Sequence, residues 1–339
     1  MNILIVKLSS LGDVVHAMPA VHDMQQALPD AHIDWVVERG FAPLVRRCQG
    51  VRRVIECDFR RWKTSLFEAD TRRAWRAFKT ELQHERYDTV MDVQGLSKSA
   101  LVSWLARLNT NGQRFGMANQ TEGSSFEAPT RWVADVAILL PMHSHAITRS
   151  RQLCATALGY VIPVNMSFGL VRRMDKARTA IENIAFSSGM KGVVALVHGT
   201  SRADKQWPLL HWRALAERLH HAGYGVVVPH GNEVEEQTSH HIARGLPDTH
   251  IWPHLSLDAL TDALGDCTGV IGVDSGLSHI AVALNLVHVQ IYNFETAWRT
   301  GPLAVQRPHQ CSVFAMPTPT VDAVWQAWEL VSSTEQVNA

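Results

Sequence analysis

Short apolar runs alternate with longer amphipathic segments along almost the whole chain, in two successive arrays. In the first, Ile3 to Val6, Ile33 to Val37, Val51 to Ile55, Thr89 to Asp92 and Arg114 to Met117 read as strands, and the most apolar of them suit burial on both faces. Asp13 to Leu28, Ser65 to His84 and Ser97 to Leu108 read as the helices between them, with Pro19 kinking the first. The polar, aperiodic stretch 118–129 reads as a loop. A helix from Ala146 to Leu158 then leads to Gly159-Tyr-Val-Ile-Pro-Val-Asn165, where Gly, Pro and Asn mark a link.

The alternation then restarts. Val193 to Val197, Gly225 to Val228, His250 to Trp252, Gly269 to Val273 and Val287 to Ile291 read as strands. Trp207 to Ala222, Glu233 to Arg244, Leu257 to Gly265 and Ser275 to Leu284 read as helices. Two such arrays in 339 residues predict an α/β chain of two doubly wound, Rossmann-like domains facing across a cleft, residues 1–165 and 166–315. A final helix, Val321 to Val331 within 316–339, carries Val321, Val324, Trp325, Trp328 and Val331 at helical spacing. That stripe has to pack on something, and the first domain is one option.

Composition narrows the function classes. A formal net charge of zero and a charged fraction of 19% exclude a global nucleic-acid binder. Five widely spaced cysteines without a C-x-x-C pair suit a reducing compartment, and no apolar run reaches the length of a membrane span. The expectation is a soluble, cytoplasmic protein that can still touch a membrane surface.

Three stretches carry candidate chemistry. The opening Asn2 to Asp13 is a buried strand, a small-residue turn Ser9-Ser10-Leu11-Gly12, and a carboxylate. Asp13 is either an N-cap for the helix behind it or a general base facing a bound hydroxyl. Val270 to His279 repeats strand, turn and helix with Asp274, Ser275 and Gly276 at the turn, where an anion can approach unpaired N–H groups unless these residues merely cap. His198 to Pro208 follows the first strand of the second array. There Thr200, Ser201 and Lys205 offer hydroxyls and a cation at the same sheet edge, although a loop lysine is commonly only solvated. Glu235 starts a helix two strands along and either accepts from ribose hydroxyls or complements a helix dipole.

Charge is uneven within the neutral total. From Arg46 to Lys79 there are eleven Lys or Arg against four Asp or Glu. Arg60, Arg61 and Lys63, interleaved with Phe59 and Trp62, suit a polyanionic or membrane-held substrate, with Lys98 and Arg149 adding to them. A plain solvated face is the alternative. The chain has no G-x-x-x-x-G-K-[ST] loop, no G-x-G-x-x-G after the first strand, no G-x-S-x-G elbow, no aspartates at i, i+2, and no histidine pair at zinc spacing in its two His-His doublets.

Lys7-Leu-Ser-Ser-Leu-Gly-Asp13, Thr200 to Pro208 and Asp274-Ser-Gly-Leu-Ser-His279 together resemble the ADP-heptose:lipopolysaccharide heptosyltransferases, glycosyltransferase family 9. The opening motif and Arg60-Arg61-Trp62 look most like the heptosyltransferase I branch. The resemblance implies a GT-B fold whose last helix crosses back to the first domain. It also implies inverting, metal-independent transfer of L-glycero-D-manno-heptose from ADP-heptose to Kdo of Kdo2-lipid A, by a monomer at the cytoplasmic face of the inner membrane. No cofactor, metal or nucleic acid is implied. Asp13 would be the base, with Lys205 assisting departure of ADP. Thr200, Ser201, Glu235, Asp274, Ser275, Gly276, Leu277 and His279 would hold the donor. Ser10, Gly12, Arg60, Arg61, Lys63, Lys98 and Arg149 would meet the acceptor. Two stretches depart from the family pattern: Asn293-Phe294-Glu295 stands where relatives carry Gly-Pro-Thr, and 118–129 lacks the expected acceptor loop. A later-acting heptosyltransferase and a non-catalytic sugar-nucleotide binder are the competing readings.

Overall fold

The computed structural model describes residues 1–65, 68–172, 184, 186–303 and 307–336. They fall into two compact units divided between Val171 and Arg172, a few residues beyond the expected link.

The first unit runs β1 (Asn2–Val6), α1 (Leu11–Ala27), β2 (His32–Glu38), α2 (Ala42–Val45), β3 (Val51–Cys57), α3 (Phe59–Trp62), α4 (Ala69–Leu82), β4 (Arg86–Asp92), α5 (Ser97–Leu105), β5 (Arg107–Met117), α6 (Pro129–Val133), β6 (Val136–Ile138) and α7 (Ala146–Leu158). Its parallel sheet has the order β3-β2-β1-β4-β5-β6. The chain therefore starts at the sheet centre and turns back there, which makes the gap between the C-terminal ends of β1 and β4 a topological switch point. The apolar run Ile3-Leu4-Ile5-Val6 is buried on both faces, as a central parallel strand requires. Leu4, Val6 and Leu8 pack with Trp62, Phe78, Leu82 and Val102, so the aromatic helices α3 and α4, and α5, cover one face. On α1, Asp23 accepts from Arg151 Nε of α7 at 2.6 Å, with both side chains buried.

The second unit runs β7 (Gly192–Val197), α8 (Leu209–His221), β8 (Tyr224–Val228), α9 (Glu233–Ala243), β9 (Thr249–Ile251), α10 (Leu257–Gly265), β10 (Gly269–Val273), α11 (Gly276–Ala283), β11 (Val287–Tyr292), α12 (Ala297–Thr300), β12 (Gln310–Phe314) and α13 (Val321–Gln336). Its order, β12-β11-β10-β7-β8-β9, repeats the first topology and puts a second switch point between β7 and β10. Among the described residues no helix is long and apolar enough to cross a membrane.

Several expectations change. The helix predicted over Ser97 to Leu108 stops at Leu105, because the Arg114 guanidinium takes the carbonyls of Ser103 at 2.9 Å and Ala106 at 3.2 Å and so ends it. The chain then enters β5 at Arg107, seven residues earlier than its apolar segment suggests. The edge strands β6 and β12 and the short helix α6 are additional elements. The helix predicted from Ser65 is described from Ala69, residues 66–67 lying outside the described set. Helix α13 contributes one face to the core of its own unit. Val324, Trp328 and Val331 join Leu219, Val226 and Val289 in the second core, and Trp328 meets Tyr224 edge-on at 5.6 Å. Gly269 makes room for that indole, since a Cβ there would stand 2.6 Å from it.

Candidate active site

At the switch point of the first unit, α1 begins at Leu11, so Ser10 is its N-cap, Gly12 its second residue and Asp13 its third. Asp13 thus lies inside the first turn and is not the cap itself. Its Oδ2 accepts from the Ser10 N–H at 3.1 Å and the Ser10 hydroxyl at 2.9 Å, and its Oδ1 lies 3.9 Å from Lys7 Nζ. The Asp13 side chain remains 39% exposed, while that of Lys7 is 5% exposed. Burial alone would raise the Asp13 pKa. The Lys7 charge, the two Ser10 bonds and the Arg149 charge outweigh it and leave the carboxyl below its ordinary value. Burial lowers the pKa of Lys7, which also donates to the Val93 carbonyl at 3.1 Å.

Neighbouring strands brace this turn. Gln94, just past β4, accepts from the N–H groups of Leu8 at 2.8 Å and Ser9 at 3.1 Å. Asp92 accepts from Gln94 and Gly95 N–H and from the Ser99 hydroxyl, each at 2.9 Å, which fixes the start of α5. From α5, Lys98 donates to Ser9 Oγ at 2.6 Å. Buried Arg149 donates to Thr121 Oγ1 at 3.1 Å, so the 118–129 stretch does reach this region. Glu38 ends β2 with its N–H on the Leu8 carbonyl at 3.1 Å. Its carboxyl is buried, which raises its pKa against the charges of Lys98 and Arg60.

Of the predicted acceptor residues, Ser10, Gly12, Lys98 and Arg149 thus gather around Asp13, and Arg60 lies beside Glu38 with its guanidinium 5.5 Å from the Phe41 ring centre. Arg61 and Lys63 go elsewhere. Helix periodicity turns Arg61 into a cavity of about 380 Å³ that Glu56, Asp70 and Glu81 also line, and Lys63 onto an apolar groove of about 550 Å³.

At the switch point of the second unit, Asp274 directly follows β10 and is 4% exposed. Lys205 Nζ approaches its Oδ2 at 2.6 Å; His279 Nε2 lies 3.2 Å from Oδ1; Gln290 and Thr300 donate to Oδ1 at 3.4 Å each. Burial would raise this carboxyl's pKa, but His279 and Lys205 together hold it far below the usual carboxylate range. Lys205 is therefore no free loop cation: it ends a short 3₁₀ turn and is ion-paired. The Thr200 hydroxyl donates to the Asp274 carbonyl at 3.4 Å. Ser275 is the N-cap of α11, but its side chain makes no capping bond to the first N–H groups of the helix, which begins at Gly276 and Leu277. Glu235 reaches the same edge. It accepts from Gly231 N–H at 2.8 Å, and a Cβ on Gly199 would stand 2.8 Å from its carboxyl, which explains the glycine between His198 and Thr200. Burial lowers the His198 pKa to about 4, and the ring lies 2.8 Å from Ser239 Oγ. Ser201 is exposed in the loop.

Sequence reasoning assigned no site role to Lys7, Glu38, Asp92, Gln94, Gln290, Asn293 or Thr300. A lysine ending an apolar strand and two polar residues, His288 and Gln290, alternating inside a buried one were the available signals. Asn293 answers one departure from the family pattern: its amide donates to the carbonyls of Asp204 at 3.0 Å and Gln206 at 2.8 Å, clasping the turn that carries Lys205. Among the described residues, no group of three or more His, Cys, Asp or Glu could hold a metal ion.

Comparison with known proteins places these sites in context. Residues 75–324 match the family model for glycosyltransferase family 9 (heptosyltransferase). Lipopolysaccharide heptosyltransferase 1 of Escherichia coli K12 is 36% identical over 293 residues, 86% of this chain and 88% of that protein. Lipopolysaccharide heptosyltransferase 1 of Pseudomonas aeruginosa is 34% identical over 324 residues, 93% of this chain and 84% of that protein. A solved E. coli heptosyltransferase with ADP-2-deoxy-2-fluoro heptose superposes with a TM-score of 0.78 at 31% identity, covering 100% of both chains.

Proposed function

This chain belongs to glycosyltransferase family 9, the heptosyltransferases, with the GT-B fold of that family, and we propose that it is a lipopolysaccharide heptosyltransferase of type 1 that uses Kdo2-lipid A as acceptor. The donor is ADP-heptose and the product a heptosylated inner core. The observation that carries the assignment of roles is Asp13: a partly exposed carboxylate at a switch point, kept ionised by buried Lys7, among Lys98 and Arg149.

In the proposed reaction a Kdo hydroxyl attacks the anomeric carbon of the heptose opposite the leaving group. The new C–O bond forms as the bond to ADP breaks; Asp13 receives the hydroxyl proton and ADP departs with the bonding electrons, inverting the centre. Negative charge grows on the diphosphate. Lys205 has three N–H donors, and its bond to Asp274 leaves the others for phosphate oxygens. The first N–H groups of α11, Gly276 and Leu277 included, add the positive end of a helix, and Thr200 and Ser201 add hydroxyls. Asp274 orients Lys205 and His279, and Glu235 takes the ribose. These groups supply the electrostatic work without a metal. Ser10, Gly12, Arg60, Lys98 and Arg149 face the acceptor's carboxylates and phosphates, while Arg61 and Lys63 serve its outer part. The protein works as a monomer at the cytoplasmic face of the inner membrane.

The decisive experiment offers ADP-heptose with Kdo2-lipid A and, separately, with the heptosylated product, each with and without chelator. Transfer to Kdo2-lipid A that survives chelation is expected. Turnover confined to the heptosylated acceptor would assign the chain to a later step, and chelator loss restored by magnesium would refute the metal-free route.

A further inference from the structure

The first unit carries an aromatic face formed by α3, α4 and α5. Helix α5 buries Ser99, Ala100, Val102 and Ser103, yet turns Leu101, 38% exposed, and Trp104, 63% exposed, outward one turn apart. A soluble helix normally carries polar groups there. Leu101 forms one wall of the groove of about 550 Å³; Phe59 and Trp75 form the others, with ring centres 6.0 Å apart. Lys63, Arg72 and Arg76 complete the rim, all exposed, and among the described residues no acidic one lines it.

Helix α4 sorts its charges by face. Arg72, Trp75 and Arg76 line the groove, whereas Asp70 and Glu81 line the neighbouring cavity that holds Arg61. Apolar and aromatic groups ringed by cations, with acids segregated away, match the interface of an anionic bilayer, where indoles sit at headgroup level and cations meet phosphates. The face also continues from the proposed acceptor site. Lys98, bonded to Ser9 beside the Asp13 turn, lies one helical turn before Leu101 on α5. An acceptor whose sugar lies at Asp13 therefore has its lipid side at this groove.

We propose that the face formed by α3, α4 and α5 docks on an anionic phospholipid bilayer, Leu101, Trp104 and the groove aromatics meeting the interface while Lys63, Arg72 and Arg76 bind anionic headgroups. This deepens the proposed function and rests on it only in taking the acceptor to be lipid-borne.

The test is co-sedimentation of the full-length protein with vesicles of phosphatidylcholine, alone or mixed with phosphatidylglycerol, alongside transfer to an acyl-free, water-soluble acceptor. The parent is expected to bind the mixed vesicles selectively and to release as salt rises. R72Q/R76Q should weaken partitioning about 30-fold, from about 1 kcal/mol for each cation near the surface. L101S/W104S should weaken it about tenfold through lost apolar contact. Both variants should keep the parent rate on the soluble acceptor. The docking assignment is overturned if the parent ignores the anionic vesicles, if both variants bind them like the parent, or if the variants lose soluble transfer together with vesicle binding. A parent that binds vesicles but transfers to no acceptor would instead sink the functional reading and leave the docking face standing.

Discussion

Replacing Asp13 by asparagine separates two roles open to one carboxylate. As the third residue of α1 it braces the helix start, accepting the Ser10 N–H at 3.1 Å and the Ser10 hydroxyl at 2.9 Å. Asparagine keeps an oxygen for that purpose and loses only the charge, whose favourable interaction with a helix N-terminus contributes about 0.3–1 kcal/mol. The stability cost should therefore be about 1 kcal/mol, a fall in Tm of about 2–4 °C for a protein of this class. As the base, the same oxygen must accept a full proton. An amide cannot, and the loss should be about 10²- to 10⁴-fold in kcat, or about 3–5 kcal/mol on the barrier.

The two consequences differ enough in size and kind to be read independently. Single-turnover transfer from ADP-heptose reports the chemical step, titration with ADP reports the donor site on the other unit, and a thermal melt reports the helix start. The expected outcome is a large fall in kcat, unchanged ADP affinity and a small fall in Tm. A variant that melts lower but keeps kcat within about threefold of the parent would show a bracing residue only, and the base assignment would fall.

Three further outcomes follow from the geometry. Lys7→Met removes the largest favourable influence on the Asp13 carboxylate, so its pKa rises; because the base acts ionised, activity is present above that pKa and lost as pH falls through it, and the acid limb of kcat/KM should move to higher pH in the variant, an unmoved limb arguing against the pairing. Asn293→Ala deletes two bonds to the turn carrying Lys205, each contributing about 1 kcal/mol, and should raise the KM for ADP-heptose several-fold without changing the KM for acceptor; an equal rise in both would point to general loosening. Trp328→Ala opens the second core where α13 packs and should cost about 3–5 kcal/mol in denaturant unfolding, whereas a cost below about 1 kcal/mol would contradict that packing.

The repeating strands were readable because a central parallel strand leaves a nearly unbroken apolar run, as in Ile3 to Val6 and Gly269 to Val273. Less apolar strands leave a weaker trace: the edge strand β12, Gln310–Phe314, mixes polar and apolar residues because it has one neighbour, and the first half of the interior strand β5 contains the polar Asn109-Thr-Asn-Gly112. The end of α5 depends on Arg114, nine residues beyond it, a long-range effect that periodicity does not register. Candidate site residues at strand ends were legible for the same reason that the strands were. Those supplied by neighbouring strands, Gln94 and Gln290 among them, become visible only once the strand order puts β4 beside β1 and β11 beside β10. Arg61 and Lys63 illustrate the converse, since adjacency in sequence to Arg60 does not keep side chains together on a helix.

Once that order is known, the two switch points carry the same pair of charges with opposite partners exposed. In the first unit Lys7 is buried, at 5% side-chain exposure, and Asp13 stands out at 39%. In the second, Asp274 is buried at 4% and Lys205 is the more open partner at 16%. A buried charge cannot reach a ligand, but it fixes the position and protonation of the charge beside it. The exposed partner then sets what each edge can do: a carboxylate held ionised can take a proton from an attacking hydroxyl, and an ammonium held in place can receive a departing diphosphate. Under the proposed reaction, one topology used twice, with the burial of its ion pair reversed, would supply the base on one unit and the leaving-group stabiliser on the other.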